Sequence, residues 1–307
     1  MTRSSLVAML IAVEVAIVGV AIYAVRGAHA VHAAEFVAKP IAAIDAGTSP
    51  RIAVDDVDSR VVVAVSSDGL VHVKDLTSTR GAFFGDRLTV PQLDVKRVDG
   101  GVSISRAGSG DSGLHFQLGW FERRVEIDVP SGSHFDIARC AGAEISGITG
   151  GVAVASQDGR ITLSDIQGTV NAKSDDGSIW ASRIRGDTLS LNSADGRLSL
   201  VDVSASSLDA QTKDGSIEAR GLSITGGAQH AVLHTADGSI RVGLASGADL
   251  TVDASTSDGK VIVDGQSFRN AGDGDSAQHT VRLGSGSGSL QLSSDDGSIH
   301  INTNGAV

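Results

Sequence analysis

A short alternating pattern recurs along the chain at nearly fixed intervals and constrains the fold more than any other feature. Within that pattern Asp-Gly stands at residues 68, 158, 176, 195, 214, 237, 258 and 296, and from 158 the steps are 18, 19, 19, 23, 21 and 38. A period of about nineteen residues marks a repeat architecture whose units stack on one another. The step of 38 is twice nineteen, which predicts one intervening coil that has lost its signature.

Each copy reads apolar, x, apolar, x, Ser or Thr, x, Asp, Gly, x, apolar, x, apolar. The inward positions are Val62, Ala64, Val71 and Val73 in the first copy, then Val152, Val154, Ile161 and Leu163, and Val170, Ala172, Ile179 and Ala181. They continue as Leu189, Leu191, Leu198 and Leu200, Leu208, Ala210, Ile217 and Ala219, and Ala231, Leu233, Ile240 and Val242. The last two sets are Val252, Ala254, Val261 and Val263, and Leu290, Leu292, Ile299 and Ile301. Period-two alternation on both sides of a corner means two strands that each bury one face.

Asp-Gly between alternating strands also suits a type I′ hairpin, so a ladder of hairpins competes with a solenoid. Spacing favours the solenoid. A further apolar residue near a glycine follows many copies, Ile166 before Gly168, Ile184 before Gly186 and Leu222 after Gly221, giving each coil a third side. The expected fold is therefore all-β, a single-stranded β-solenoid or β-helix of about 19-residue Asp-Gly repeats, preceded by one N-terminal transmembrane helix. Its structural corners are Asp158–Gly159, Asp176–Gly177, Asp195–Gly196, Asp214–Gly215, Asp237–Gly238, Asp258–Gly259 and Asp296–Gly297. The recurring Ser or Thr lies on inward parity, where its hydroxyl satisfies corner backbone.

Leu6 to Val25 forms a run of apolar residues broken by Glu14, and twenty residues at about 1.5 Å each span a bilayer core of about 30 Å. A retained anchor through residues 6–25 is expected, although the small residues of AHAVHAA after it also fit a signal-peptidase site. Arg3 before the span favours a cytoplasmic N-terminus, placing the β domain outside the cytoplasm. Three segments follow: 1–34 as signal anchor and linker, 35–124 as an N-terminal β segment with aromatic-bearing insertions, and 125–307 as the repeats.

Net charge is −11, with residues 1–34 contributing +1, so the remainder carries −12. Nucleic acid needs clustered Lys and Arg and is excluded as a partner class. Cys140 is the only cysteine, so no internal disulfide forms.

The stretch from Val125, with Val129, Pro130 and Gly132 closing a strand and Asp-Gly-Ser-Ile at 176, 214, 237 and 296, resembles the bacterial "putative adhesin" family of β-strand-repeat envelope proteins. The likeness covers residues 50 to 305 and implies membrane attachment and a surface role, inferred in that family as adhesion or response to envelope stress. It carries no catalytic residues. The expected function is a non-catalytic binding, adhesion or envelope-structural module whose partner is an envelope component or another membrane protein. The alternatives are a β-helix polysaccharide-processing enzyme and an envelope-stress sensing accessory protein.

Candidate sites are few. The Asp series suits Ca²⁺ in charge but supplies one carboxylate per coil and lacks GGxGxDxUx, so its members are assigned to the corners and no metal or cofactor is expected. His230 and His234 share strand parity without a visible third ligand. Arg160, Arg197 and Lys260 are scattered outward cations among Ser, and the GSGSGS run at 284–289 reads as a flexible turn. Aromatics make up only 3% of the chain, yet Phe83, Phe84, Phe116, Trp120 and Phe121 all fall in the interruptions between 79 and 124. Phe83, Phe84, Trp120 and Phe121 are either a lid over the solenoid's end or a partner-binding patch, and outward-facing Trp180 is a second contact candidate.

Overall fold

From Val152 to Leu244 the sequence repeat becomes a stack of coils in register. The strands Val152–Ser156, Val170–Ser174, Arg185–Ser193, Ser204–Thr212 and His230–Asp237 pair in parallel, aligning Val152, Val170, Leu189, Leu208 and Ala231. A second parallel sheet holds Ile161–Ser164, Ile179–Ser182, Leu198–Val201, Ile217–Ile224 and Ile240–Leu244, aligning Ile161, Ile179, Leu198, Ile217 and Ile240. Ile148, Ile166, Ile184, Val203 and Leu222 are buried on the third side. The computed structural model describes residues 29–31, 37–84, 92–106, 116–225, 230–269 and 276–304, and within these every regular element is a β-strand. The expected membrane span at 6–25 lies outside the described residues.

The two strands flanking each of these corners pair in parallel with neighbouring coils and form no antiparallel hairpin with each other, so the hairpin ladder is ruled out. Corner geometry agrees. A type I′ turn requires φ > 0, which Gly159, Gly177, Gly196, Gly215, Gly238 and Gly297 do not adopt. Their smallness serves stacking instead: a Cβ on Gly196 would overlap the carbonyl oxygen of Gly177 in the coil beneath, and the same holds for Gly215 over Gly196 and Gly238 over Gly215.

Hydroxyls lock the corners together. Ser193 Oγ donates to the Gly177 carbonyl (3.1 Å) and accepts from the Gly196 N–H (2.9 Å). Thr212 donates to Gly196 (3.0 Å) and Thr235 to Gly215 (2.7 Å), so the inward Ser/Thr column satisfies buried corner backbone as its parity implies.

The final coil departs from the expected order. Gly288–Asp296 pairs with His230–Asp237 on one side and with Leu250–Asp258 on the other, and Ile299–Asn302 likewise lies between Ile240–Leu244 and Val261–Val263. The last coil in sequence is thus threaded between the two that precede it. Ser294 donates to Gly238 (2.9 Å) and Thr256 to Gly297 (2.8 Å), following spatial order and not chain order. Among the described residues no worn coil lies between 258 and 296. That interval holds Gln266–Phe268 and Ala277–Leu283, which pair antiparallel with the outer edges of Val261–Val263 and Leu250–Asp258. Covering those edges removes a template for association with another chain.

The GSGSGS run that leads into the threaded coil is clasped, not loose. Asp249 accepts hydrogen bonds from Ser285 Oγ (2.8 Å), the Gly286 N–H (2.7 Å) and Ser287 Oγ (3.0 Å).

A second correction concerns the first copy of the repeat, where Val61 and Val63 are buried and Val62 and Ala64 are not. The strand Arg51–Val65 pairs with both Phe116–Val129 and His134–Ser146, aligning Val61 with Val125 and Ala143, and a register shift between Asp56 and Arg60 sets this parity. Arg106 fills the irregularity, its Nε 2.9 Å from Asp56 and its Nη2 2.7 Å from Asp75. Corner Asp68–Gly69 also differs from the rest, with Gly69 at φ 75° and open space where a Cβ would lie.

The chain divides into two compact units. The larger comprises 39–75, 93–106 and 124–307 and contains all the features above; the smaller comprises 1–38, 76–92 and 107–123. In the smaller unit the strand His29–Val31 pairs antiparallel with residues 81–83.

Candidate functional site

The solenoid interior is filled by apolar side chains and the inward Ser/Thr column, so the side chains open to solvent are the outward ones. On the second sheet the column Thr162, Trp180, Ser199 runs across three adjacent coils, because Thr162 aligns with Trp180 and Trp180 with Ser199. Trp180 is 48% exposed. It sits on a short strand whose partners on both sides carry small hydroxylated side chains, so nothing as large as the indole rises beside it.

One residue before that strand register lies Arg160, Ser178, Arg197. These two arginines, Trp180, Ser178, Ser199 and Glu218 line a groove of about 440 Å³. Glu218 is engaged by Arg220. Among the described residues no ion pair engages Arg160 or Arg197. Both follow an Asp-Gly directly, and the parallel register converts a separation of 37 residues into two strand spacings. Their apparent scatter in sequence is therefore not scatter in space. The repeated Asp-Gly-Arg was the signal; what concealed it was the intervening Asp-Gly-Ser coil. Lys260 aligns instead beside Ser298, in the threaded end.

The Asp column runs along the adjacent corner. Partial desolvation and the charges of Asp195, Asp158 and Asp175 hold the Asp176 carboxyl above the usual carboxylate range, so the column is a line of like charges without compensation at Asp176. Among the described residues no group of three or more His, Cys, Asp or Glu is arranged to hold a metal ion. His230 and His234 share hydrogen bonds of 2.9 Å with Ser289 and Ser293 of the threaded coil. Cys140 is buried with its thiol 3.4 Å from the Ala155 carbonyl, and burial pushes its pKa up, away from reactive thiolate.

Phe83 and Phe84 end the strand Val71–Phe84, and Trp120 and Phe121 lie on Phe116–Val129. All four fall in the smaller unit, and their side chains, on which the choice between lid and patch rests, lie outside the described residues; Trp180 belongs to the larger unit.

The profile of the family described as Toastrack DUF4097 matches residues 52–302. Among solved structures, a "putative cell adhesion protein" of Clostridium sporogenes ATCC 15579 is 12% identical, with 87% of this chain and 99% of that one covered and a TM-score of 0.24. A "putative adhesin" of Bacteroides fragilis NCTC 9343 is 14% identical, with 88% and 97% covered and a TM-score of 0.38. No curated protein matches the chain.

Proposed function

The chain belongs to the Toastrack DUF4097 family, and from that premise we propose that it is a non-catalytic binding module of the bacterial cell envelope, held in the membrane by residues 6–25 with its β domain outside the cytoplasm. The observation that carries the binding role is Trp180, a large apolar side chain left 48% exposed on a rigid sheet beside two cations without ion-pair partners. Exposed aromatics and arginines are the residue types that dominate interface energetics. A rigid scaffold also lowers the entropy lost on binding.

Glycoside hydrolysis, the chemistry of the rival reading, uses two carboxyl groups flanking the scissile bond. The groove lining offers one, Glu218, already engaged by Arg220. This favours binding over turnover.

Crosslinking in intact cells, followed by purification of the full chain, tests the reading. The parent should recover an envelope component that Trp180→Ser loses, and external protease should degrade the β domain without lysis. Protection of the domain in intact cells would remove the extracytoplasmic placement, and equal recovery by parent and variant would remove Trp180 from the binding surface.

A further inference from the structure

We propose that the Trp180 groove binds a uronate-bearing polysaccharide, with Arg160 and Arg197 each taking a sugar carboxylate and Trp180 stacking against a ring between them. The inference rests on the binding role above and names its ligand class.

Three features of the groove converge on that chemistry. The first is the arginine pair. Strands in a sheet stand about 4.8 Å apart, so two coils separate the backbones of Arg160 and Arg197 by about 9.6 Å, a span comparable to one disaccharide step of an extended glycan. A guanidinium presents a planar fork that matches a carboxylate through two parallel hydrogen bonds. A polymer carrying one carboxylate per disaccharide would meet both arginines in register, one repeat reading another.

The second is the indole. Thr162 and Ser199 flank Trp180 in the same column, so a ligand can lie along the sheet face with its ring against the indole and its hydroxyls near Ser178 and Ser199. A ring of C–H groups stacked on an aromatic face buries apolar area that water gains from losing. The groove, about 440 Å³ in volume, is within the range that holds a small oligomer of sugars.

The third is the charge around it. Asp158, Asp176 and Asp195 lie two residues ahead of Arg160, Ser178 and Arg197 along the corner, and Asp176 is already burdened by its like-charged neighbours. A densely charged polyanion, with a phosphate charge about every 1.7 Å of duplex, cannot satisfy two arginines without crowding that ladder. A sparse polyanion can, because charges farther than about 8 Å are screened at physiological salt. The arginines thereby set the sign of the ligand, and the acid ladder disfavours dense charge.

Titrating the full chain with a hyaluronan hexasaccharide, in which glucuronate alternates with a neutral sugar, tests the proposal by calorimetry and by tryptophan fluorescence. Dissociation constants below about 1 mM are expected for a site of this size. Trp180→Ser and the double change Arg160→Gln with Arg197→Gln should each weaken binding by roughly tenfold or more, while the circular-dichroism spectrum and melting temperature stay with the parent, since all three side chains are on the outward face. A neutral N-acetylglucosamine hexamer and a single-stranded oligonucleotide should bind at least tenfold more weakly than the uronate oligomer. The proposal is overturned if the variants bind as the parent does, if the neutral hexamer or the oligonucleotide binds as tightly, or if no heat is seen at millimolar ligand. Should the hexasaccharide fail while crosslinking still recovers a Trp180-dependent envelope component, the glycan assignment falls and the binding role stands.

Discussion

The stack from Val152 to Leu244 and the end from Leu250 to Asn302 are built from the same coil, yet they assemble by different rules. In the stack each coil rests on its neighbour in sequence, as Leu189 aligns with Val170 and Leu208 with Leu189. At the end, Leu290 lies between Ala231 and Val252, residues 59 and 38 positions away. Corner hydroxyls treat both arrangements alike, with Thr212 reaching Gly196 within the stack and Thr256 reaching Gly297 across the thread. The repeat therefore specifies what a coil looks like and which faces it offers, while connection length decides who its neighbours are. The hairpin-forming segment between Asp258 and Gly288 is long enough to turn back and leave a slot for the last coil.

The largest expected effect compares the two regions within one column. Leu191 and Leu292 are both fully buried and belong to the same inward row. Either Leu→Asp change buries an unpaired charge and should cost about 3–5 kcal/mol. Leu191→Asp should abolish amide protection throughout the stack, because coils on both sides lose a neighbour. Leu292→Asp should expose 250–302 to exchange while 152–244 stays protected. Identical exchange patterns for the two variants would mean that the thread and the stack are one cooperative unit.

A smaller effect separates stacked corners from the open one. Gly196→Ala places a methyl group against the Gly177 carbonyl and should cost about 2–3 kcal/mol. Gly69→Ala meets no neighbouring atom and has only its φ of 75° to strain, a cost of about 1 kcal/mol. Denaturant midpoints measure both, and equal losses would deny that stacking selects the corner glycines. Ser193→Ala comes next, at about 1–2 kcal/mol, because it leaves the buried Gly196 N–H and Gly177 carbonyl without their shared hydroxyl.

How far these features can be read from sequence follows the same division. Inward rows from Val152 to Ile301 are legible because polar residues alternate with them, as Asn171 and Lys173 do with Val170 and Ala172. In the run from Val61 to Val65 every residue is apolar, so alternation cannot assign the buried face, and pairing with Val125 and Ala143 decides it. Threading is illegible locally, since Ser294 and Thr256 would serve equally in either order. Trp180 can be placed outward by parity alone, whereas its nearness to Arg160 and Arg197 requires the register of three coils. The clasp on Gly286 is hidden because its acceptor, Asp249, stands 37 residues upstream.

Acid provides the mildest way to part the two regions, and its sign differs between them. Hydrogen bonds from the Ser285 and Ser287 hydroxyls, joined by the Gly286 and Ser287 N–H groups, lower the Asp249 pKa to about 2. An unfolded Asp titrates near about 3.9, so the clasp contributes its full stability above that value and loses it as pH falls toward 2. Asp176 runs the other way. Its folded pKa is raised by desolvation and by Asp195, Asp158 and Asp175, so it binds a proton more readily folded than unfolded, and its cost to the stack disappears as pH falls through that raised value. The Asp176 corner should therefore gain as pH falls through its raised value toward about 4, and the entry to the threaded coil should loosen below that, between about pH 4 and pH 2. Hydrogen exchange at pH 3 and pH 6, corrected for intrinsic rates, should show protection falling at 284–302 relative to 170–212. Asp249→Asn should reduce the end's protection at pH 6 and remove most of its further loss at pH 3, since the group that titrates is gone. Uniform loss across both regions in the parent, or an unchanged acid response in Asp249→Asn, would show that the thread is held by its strands alone and that the clasp only follows them.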